Sequence, residues 1–230
     1  MAGNEPDSPF AAVRRPRPLP VLVLADVSGS MAQDGKIESL NSAMAEMVRS
    51  FAAERSVHGE IMVGVIAFGG TGVALHHPPT PAADFRWADM SAVGGPHGTP
   101  MGDAFELARS VLHDEDVVPS RAYAPTLVLV SDGAPTSEWE QHLDRFLSSP
   151  RGARSLRLAV AIGSETGTRA YRVLESFVRD PRYPVVRADE APRIAEIFRS
   201  ITRSVSVRAR STRPDDASMF DLDDLFDLSD

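Results

Sequence analysis

The sequence predicts an α/β fold, a doubly wound, mostly parallel (Rossmann-like) sheet in three layers, and three observations carry that prediction. Four runs, Val21–Ala25, Ile61–Phe68, Thr126–Val130 and Leu156–Ile162, are apolar but for Thr126 and Arg157, and are rich in branched residues. Runs of this length without polar alternation are typical of strands buried on both faces. Between them apolar residues recur every three or four positions, as they do along one face of a helix. Such alternation of strand and helix implies right-handed βαβ units, with helices on both faces of the sheet.

In chain order, residues 1–18 hold Pro6, Pro9, Pro16 and Pro18 beside Arg14, Arg15 and Arg17, and predict a flexible arm before a domain over residues 19–207. The strand at 21–25 runs into Asp26-Val27-Ser28-Gly29-Ser30, where the glycine lets the backbone turn sharply. Ile37, Leu40, Met44, Met47, Val48 and Phe51 give a helix from about Lys36 to about Arg55. A strand at 61–68, a Gly69-Gly70 turn and Val73-Ala74-Leu75 read as a strand, a turn and an antiparallel edge strand. Pro78, Pro79 and Pro81, then Gly94, Gly95 and Gly98, predict an irregular loop up to Thr99. Thr99 is expected to cap a helix, with Pro100 in its first turn and Phe105, Leu107, Ala108, Val111 and Leu112 on its apolar face. The run at 126–130 ends in Ser131-Asp132-Gly133, repeating the carboxylate end of the first strand. A helix from Glu138 to about Leu147, a strand at 156–162 and a turn at Gly163 follow. A helix through Tyr171, Leu174, Phe177 and Val178, a short strand at Val185-Val186 and a last helix through Ile194, Ile197, Phe198, Ile201 and Val205 complete the domain.

With 230 residues, 43% of them hydrophobic, the chain can bury one sizeable core. It has no cysteine, which excludes disulfides, thiol catalysis and cysteine-ligated zinc, so any metal must be held by oxygen or histidine. No apolar run approaches the ~18 residues of a membrane span, and the amino terminus lacks a hydrophobic signal core. A cytoplasmic location without a membrane partner is the expectation. The net charge is −8, but residues 215–230 carry seven aspartates and no basic residue, which leaves the body near neutral. Arginines are scattered and Lys36 is the only lysine, so no basic stripe for nucleic acid is present.

Asp26, Ser28, Ser30 and Asp132 directly follow strand ends, where ligands sit in open α/β sheets. Their oxygens suit hard cations such as magnesium or manganese. Taken alone, the first stretch reads equally well as a turn or a helix cap. The enzymatic alternative makes Asp26 the nucleophile of a magnesium-dependent phosphotransferase or phosphatase. Haloacid-dehalogenase-type enzymes need a second acid two positions on, and that position is Ser28; Lys36 is the sole lysine to meet a phosphate. Neither a Gly-x-Ser-x-Gly elbow nor a GxxxxGK[ST] loop occurs. His76, His77 and His97 read as surface or loop-packing histidines, Asp34 as a loop carboxylate, and Asp103 as a first-turn helix acid. Trp87 and Trp139 read as packing or rim residues.

Asp26-x-Ser28-x-Ser30, Gly98-Thr99-Pro100-Met101-Gly102-Asp103 and Ser131-Asp132-Gly133 together resemble the metal-ion-dependent adhesion site (MIDAS) of von Willebrand factor A (VWA) domains, over roughly residues 19–205. Gly-Thr-Pro-Met-Gly and Ser-Asp-Gly-Ala-Pro-Thr-Ser-Glu-Trp resemble the TerY-like branch of bacterial VWA proteins, linked to tellurite-resistance and stress-response clusters. The resemblance implies that Ser28 and Ser30 bind the metal directly, and Thr99 in the ligand-competent state, while Asp26 and Asp132 act largely through coordinated waters. It implies Mg2+, with Mn2+ or Ca2+ as alternatives. The implied function is a non-enzymatic protein-interaction module that docks a partner's Asp or Glu on the cation. Implied partners are a protein kinase, a PP2C-type phosphatase or TerD-type proteins, in a stress-response or phage-defence setting. The runner-up is a structural module in which the metal only stabilises the fold.

Residues 208–230 form an acidic-hydrophobic tail. Phe220, Leu222, Leu225 and Phe226 form a candidate docking motif for a partner, against the plainer reading of a disordered, solubilising tail. The tail's aspartates also make it a candidate occupant of the metal site, in cis or on a neighbouring molecule.

Overall fold

Val21 to Ala25 are at most 1% exposed, because they form the middle of a central strand. That strand, β1 (Arg17–Asp26), is followed along the chain by β2 (Gly59–Gly69), β3 (Gly72–Pro81), β4 (Thr126–Ser131), β5 (Leu156–Ile162) and β6 (Val186–Ala188). They form a single sheet in the order β3-β2-β1-β4-β5-β6. Only β2 and β3 pair antiparallel. The helices are α1 (Lys36–Ala53), α2 (Met101–His113), α3 (Glu140–Ser148), α4 (Pro150–Arg154), α5 (Arg169–Val178) and α6 (Ala191–Arg210), with a short 3-10 turn at Gly29–Ala32. This computed structural model describes residues 16–136 and 138–216.

The apolar spacing of α1 is realised in packing: Ile37, Leu40, Met44, Met47, Val48 and Phe51 are all buried. That helix packs against α6, and α2 against α3. Phe105 of α2 stacks on Phe177 of α5 with ring centroids 5.7 Å apart. The doubly wound, mostly parallel sheet with one antiparallel edge strand is thus the fold predicted from the alternation of elements.

Several local expectations are corrected. Pro78, Pro79 and Pro81 do not end regular structure, since β3 runs through them to Pro81. An edge strand tolerates proline because half of its N–H groups need no partner, and the ladder is irregular between Val63 and Ile66. His76 and His77 consequently lie in this strand and not in a loop. The extra helix α4 is started by Pro150 at its first position and by the Ser149 hydroxyl, which accepts from Gly152 N. The first strand reaches back to Arg17, and α6 continues to Arg210, each beyond the expected ends at 19 and 207. The candidate docking residues Phe220, Leu222, Leu225 and Phe226 lie outside the described residues.

The order of strands reverses between β1 and β4: from β1 the chain crosses to β2, and from β4 it proceeds outward through β5 and β6. At such a switch point the loops leaving the two strands diverge and open a crevice at their carboxyl ends. Asp26 is the last residue of β1, and Asp132 immediately follows β4.

Candidate metal centre

Asp26 is wholly buried. Its Oδ1 accepts a hydrogen bond from Ser28 N at 2.8 Å, which folds the DxSxS loop back over the strand end. Its Oδ2 accepts from the Ser131 hydroxyl at 2.5 Å, tying β1 to β4 across the crevice. Burial pushes the carboxyl up to about 6; the hydrogen bonds from Ser131 and Ser28 offset part of this, and the neighbouring charge of Asp132 adds to it.

Asp132 is fixed from two sides. Its Oδ1 accepts from the Ser30 hydroxyl at 2.7 Å, and its Oδ2 from the Lys36 ammonium at 2.9 Å. Ser28 and Ser30 hold their hydroxyl oxygens 3.1 Å apart, on one side of the same space. The 3-10 turn that begins at Gly29 produces this closeness, and Gly29 is not among the glycines with positive φ. What glycine supplies there is room, because a Cβ on Gly29 would stand 3.2 Å from Gly94 Cα in the facing loop.

Thr99 is 5% exposed and reaches the same crevice from the third loop. It does not cap α2: Pro100 occupies the N-cap position without a side-chain cap bond. Thr99 is held instead through its backbone, its N–H donating to the Thr136 hydroxyl at 3.1 Å and its carbonyl accepting from Met101 N and Thr136 N. A Cβ on Gly133 would lie 3.2 Å from Thr99 Oγ1 and 3.8 Å from Asp26 Oδ2, so a side chain there would begin to fill the space between them. All five expected site residues therefore gather at the carboxyl ends of β1 and β4.

Two further residues belong to this cluster. Ser131 was legible as the polar residue closing an apolar strand, one position before Asp132. Lys36 carried a weaker signal, as the only lysine in a chain with 24 Lys and Arg. By contrast His76 contacts the Ala88 carbonyl through Nε2 at 2.8 Å, His77 packs on Phe85, and Trp87 donates to Asp89, all beside the edge strand. Asp103 lies in the first turn of α2 as expected.

The donor set fits a hard divalent cation: hydroxyl oxygens and carboxylates converge, with a glycine in place of a filling side chain. Among the described residues no group of three or more His, Cys, Asp or Glu could hold a metal by itself, so any ion here would depend on the hydroxyls. Among the described residues, too, no helix is long and apolar enough to cross a membrane.

Residues 21–134 match the family model of the von Willebrand factor type A domain. No curated protein matches the chain. Among solved structures the chain is similar to proximal thread matrix protein 1 from the mussel byssus with a zinc-occupied MIDAS motif, at 15% identity and a TM-score of 0.58, over 82% of this chain and 48% of that one. It is also similar to a von Willebrand factor type A protein from Catenulispora acidiphila, at 18% identity and a TM-score of 0.57, over 82% and 42% of the two chains. The vWF domain of the type V pili tip protein Mfa5 from Porphyromonas gingivalis aligns at 10% identity and a TM-score of 0.60, over 85% of this chain and 97% of that one. At these identities the likeness is one of fold. This chain spans less than half the length of the mussel and Catenulispora proteins.

Proposed function

We propose that the chain carries a von Willebrand factor type A domain, the family whose model matches residues 21–134, and that it is a non-enzymatic interaction module that docks an acidic residue of a protein partner on a divalent cation. The observation that carries this reading is the meeting of Ser28, Ser30 and Asp132 through hydroxyl contacts of 3.1 and 2.7 Å, with Thr99 and Asp26 flanking Gly133. Ser28, Ser30 and Thr99 would hold Mg2+ directly, and Asp26 and Asp132 through water, with Mn2+ or Ca2+ as substitutes. When bound, the cation offers an incompletely neutralised position to an outside carboxylate.

The chain's own residues prepare that position. Ser131 and Ser28 N hold the Asp26 carboxylate in place, so it can neutralise an ion without turning outward. A nucleophile needs an exposed, mobile oxygen; both Asp26 oxygens are engaged and buried, which argues against the aspartyl-phosphate alternative. Similar solved structures include a pilus adhesin from Lactobacillus rhamnosus GG, which supports an interaction role. A cytoplasmic regulator beside a kinase, a PP2C-type phosphatase or TerD-type proteins, in tellurite resistance, stress response or phage defence, rests on the motif resemblance. So does the arrangement of a VWA domain, its elements running from Arg17 to Arg210, between an arm and a tail that carries the docking residues Phe220, Leu222, Leu225 and Phe226.

Thr99→Val tests the reading better than Asp26→Ala, because Asp26 also links two strands. Affinity capture from the native cell should recover a partner with wild type in Mg2+ and lose it with chelator or Thr99→Val. The variant's unfolding free energy should stay within about 1 kcal/mol of wild type without metal. Capture indifferent to chelator, or metal that stabilises the fold while leaving capture unchanged, would favour the purely structural role.

A further inference from the structure

Lys36 stands where a helix gains nothing from it. It is the first residue of α1, which begins after Gly35 in the left-handed conformation (φ 70°) without a side-chain cap bond. A cation at a helix amino terminus opposes the helix dipole. Its ammonium instead reaches Asp132 Oδ2 at 2.9 Å, and it lies near the β5 turn, 3.9 Å from where a Cβ on Gly163 would be. The side chains of Lys36 and Asp132 are 18% and 2% exposed, so the pair is largely withdrawn from water. The two oxygens of Asp132 are thus divided, one to the Ser30 hydroxyl and one to the ammonium. Everywhere else the chain uses arginine; here it has the one compact, singly pointed cation.

We infer that Lys36 is a built-in counter-cation that weakens metal binding by this site and, once the cation is bound, leaves a net positive charge that draws a carboxylate from outside. This rests on the metal-docking reading above. Asp26 and Asp132 supply two negative charges and Lys36 one positive, so the cluster offers a divalent cation one net negative charge where it would offer two without the lysine. Loaded, the cluster is net positive with Lys36 and neutral without it. A partner carboxylate restores neutrality only in the first case. The same lysine that lowers cation affinity therefore raises the affinity of the loaded site for a carboxylate.

The test is calorimetric titration of Mg2+, and of the peptide acetyl-Gly-Asp-Gly-amide as carboxylate probe at saturating Mg2+, into the full chain as wild type, Lys36→Met, Lys36→Gln and Lys36→Arg. Without peptide, Lys36→Met and Lys36→Gln should bind Mg2+ about tenfold more tightly than wild type, the scale of one partly screened unit charge. Lys36→Arg should stay near wild type. At saturating Mg2+ the peptide should bind wild type and Lys36→Arg several-fold more tightly than the two uncharged variants. Weaker or unchanged Mg2+ binding by Lys36→Gln would overturn the proposal, because it would make the lysine a prop for Asp132 and nothing more. Absence of Mg2+ binding by all four proteins would overturn the metal-docking reading along with it. Thermal unfolding without metal checks that each variant is folded, and Lys36→Gln, which keeps a donor, stands in should Lys36→Met fail that check.

Discussion

At the amino-terminal end of the strands Arg208 is only 2% exposed, yet fixed acceptors surround it. Its guanidinium donates to Thr126 Oγ1 and to the Ala124 carbonyl, both at 2.7 Å, and to the Pro214 carbonyl. Asp215, which accepts from Ala124 N at 2.7 Å, adds a charge nearby. Burial lowers the guanidinium only to about 10, so it remains charged at neutral pH. At the carboxyl end of the same strands Asp26 is equally buried, and burial, offset only in part by two donors and reinforced by the neighbouring Asp132, leaves it raised to about 6. One end has closed its buried charge into the fold; the other holds acid that the chain compensates only in part, through Lys36. A buried charge is structural when its partners are fixed in the chain, and it marks a ligand site when compensation is left to something from outside.

The largest effect should come from the closed end. Arg208→Met strands the carbonyls of Ala124 and Pro214 and the Thr126 hydroxyl, and should cost about 3–4 kcal/mol in denaturant unfolding, the range for losing one partner of a buried charged cluster. That loss should be the same with and without Mg2+. A loss of stability that Mg2+ repairs would mean that the two ends are coupled.

At the open end the sign reverses. Asp26 has an ordinary value of 3.8, raised to about 6 in the fold. The folded chain therefore binds this proton more tightly than the unfolded chain does. The group's contribution to stability falls as pH rises from about 4 to about 6, and its full cost is present at neutral pH. In metal-free protein Asp26→Asn should thus raise stability at neutral pH by up to about 3 kcal/mol, and should flatten that part of the pH profile. It should also remove the gain from Mg2+. A metal-free variant less stable than wild type would mean that the hydrogen bonds from Ser28 and Ser131 outweigh the cost of the buried charge.

Much of this contrast was legible in the sequence, because strands buried on both faces are written as unbroken apolar runs. The polar residues that end them, Asp26, Ser28, Ser30 and Asp132, stand out against that background. What was hidden depends on distance along the chain. Lys36 meets Asp132 across 96 positions, and no local pattern separates a helix-starting lysine from one aimed at the next loop. Arg208 meets Thr126 across 82 positions and looks like any other arginine of an amphipathic helix. The extension of β3 through Pro78 and Pro79 was hidden because proline's cost depends on whether a strand lies at an edge, a property of the sheet and not of the strand. Thr99 shows the opposite hazard: its fit to a helix cap was good locally, but Pro100 took that place.

The most direct test is a titration of Mn2+ followed by electron paramagnetic resonance, with wild type and Ser28→Ala in parallel. Ser28 is nearly buried and its hydroxyl contacts Ser30 at 3.1 Å, so its loss should disturb the candidate ligand set more than the core. Mn2+ should bind wild type at a site that Mg2+ competes for, and bind at least tenfold more weakly in Ser28→Ala, about 1.4 kcal/mol. Equal binding by the two proteins, or none by wild type at millimolar Mn2+, would contradict the claim that the carboxyl end of the sheet is a cation site.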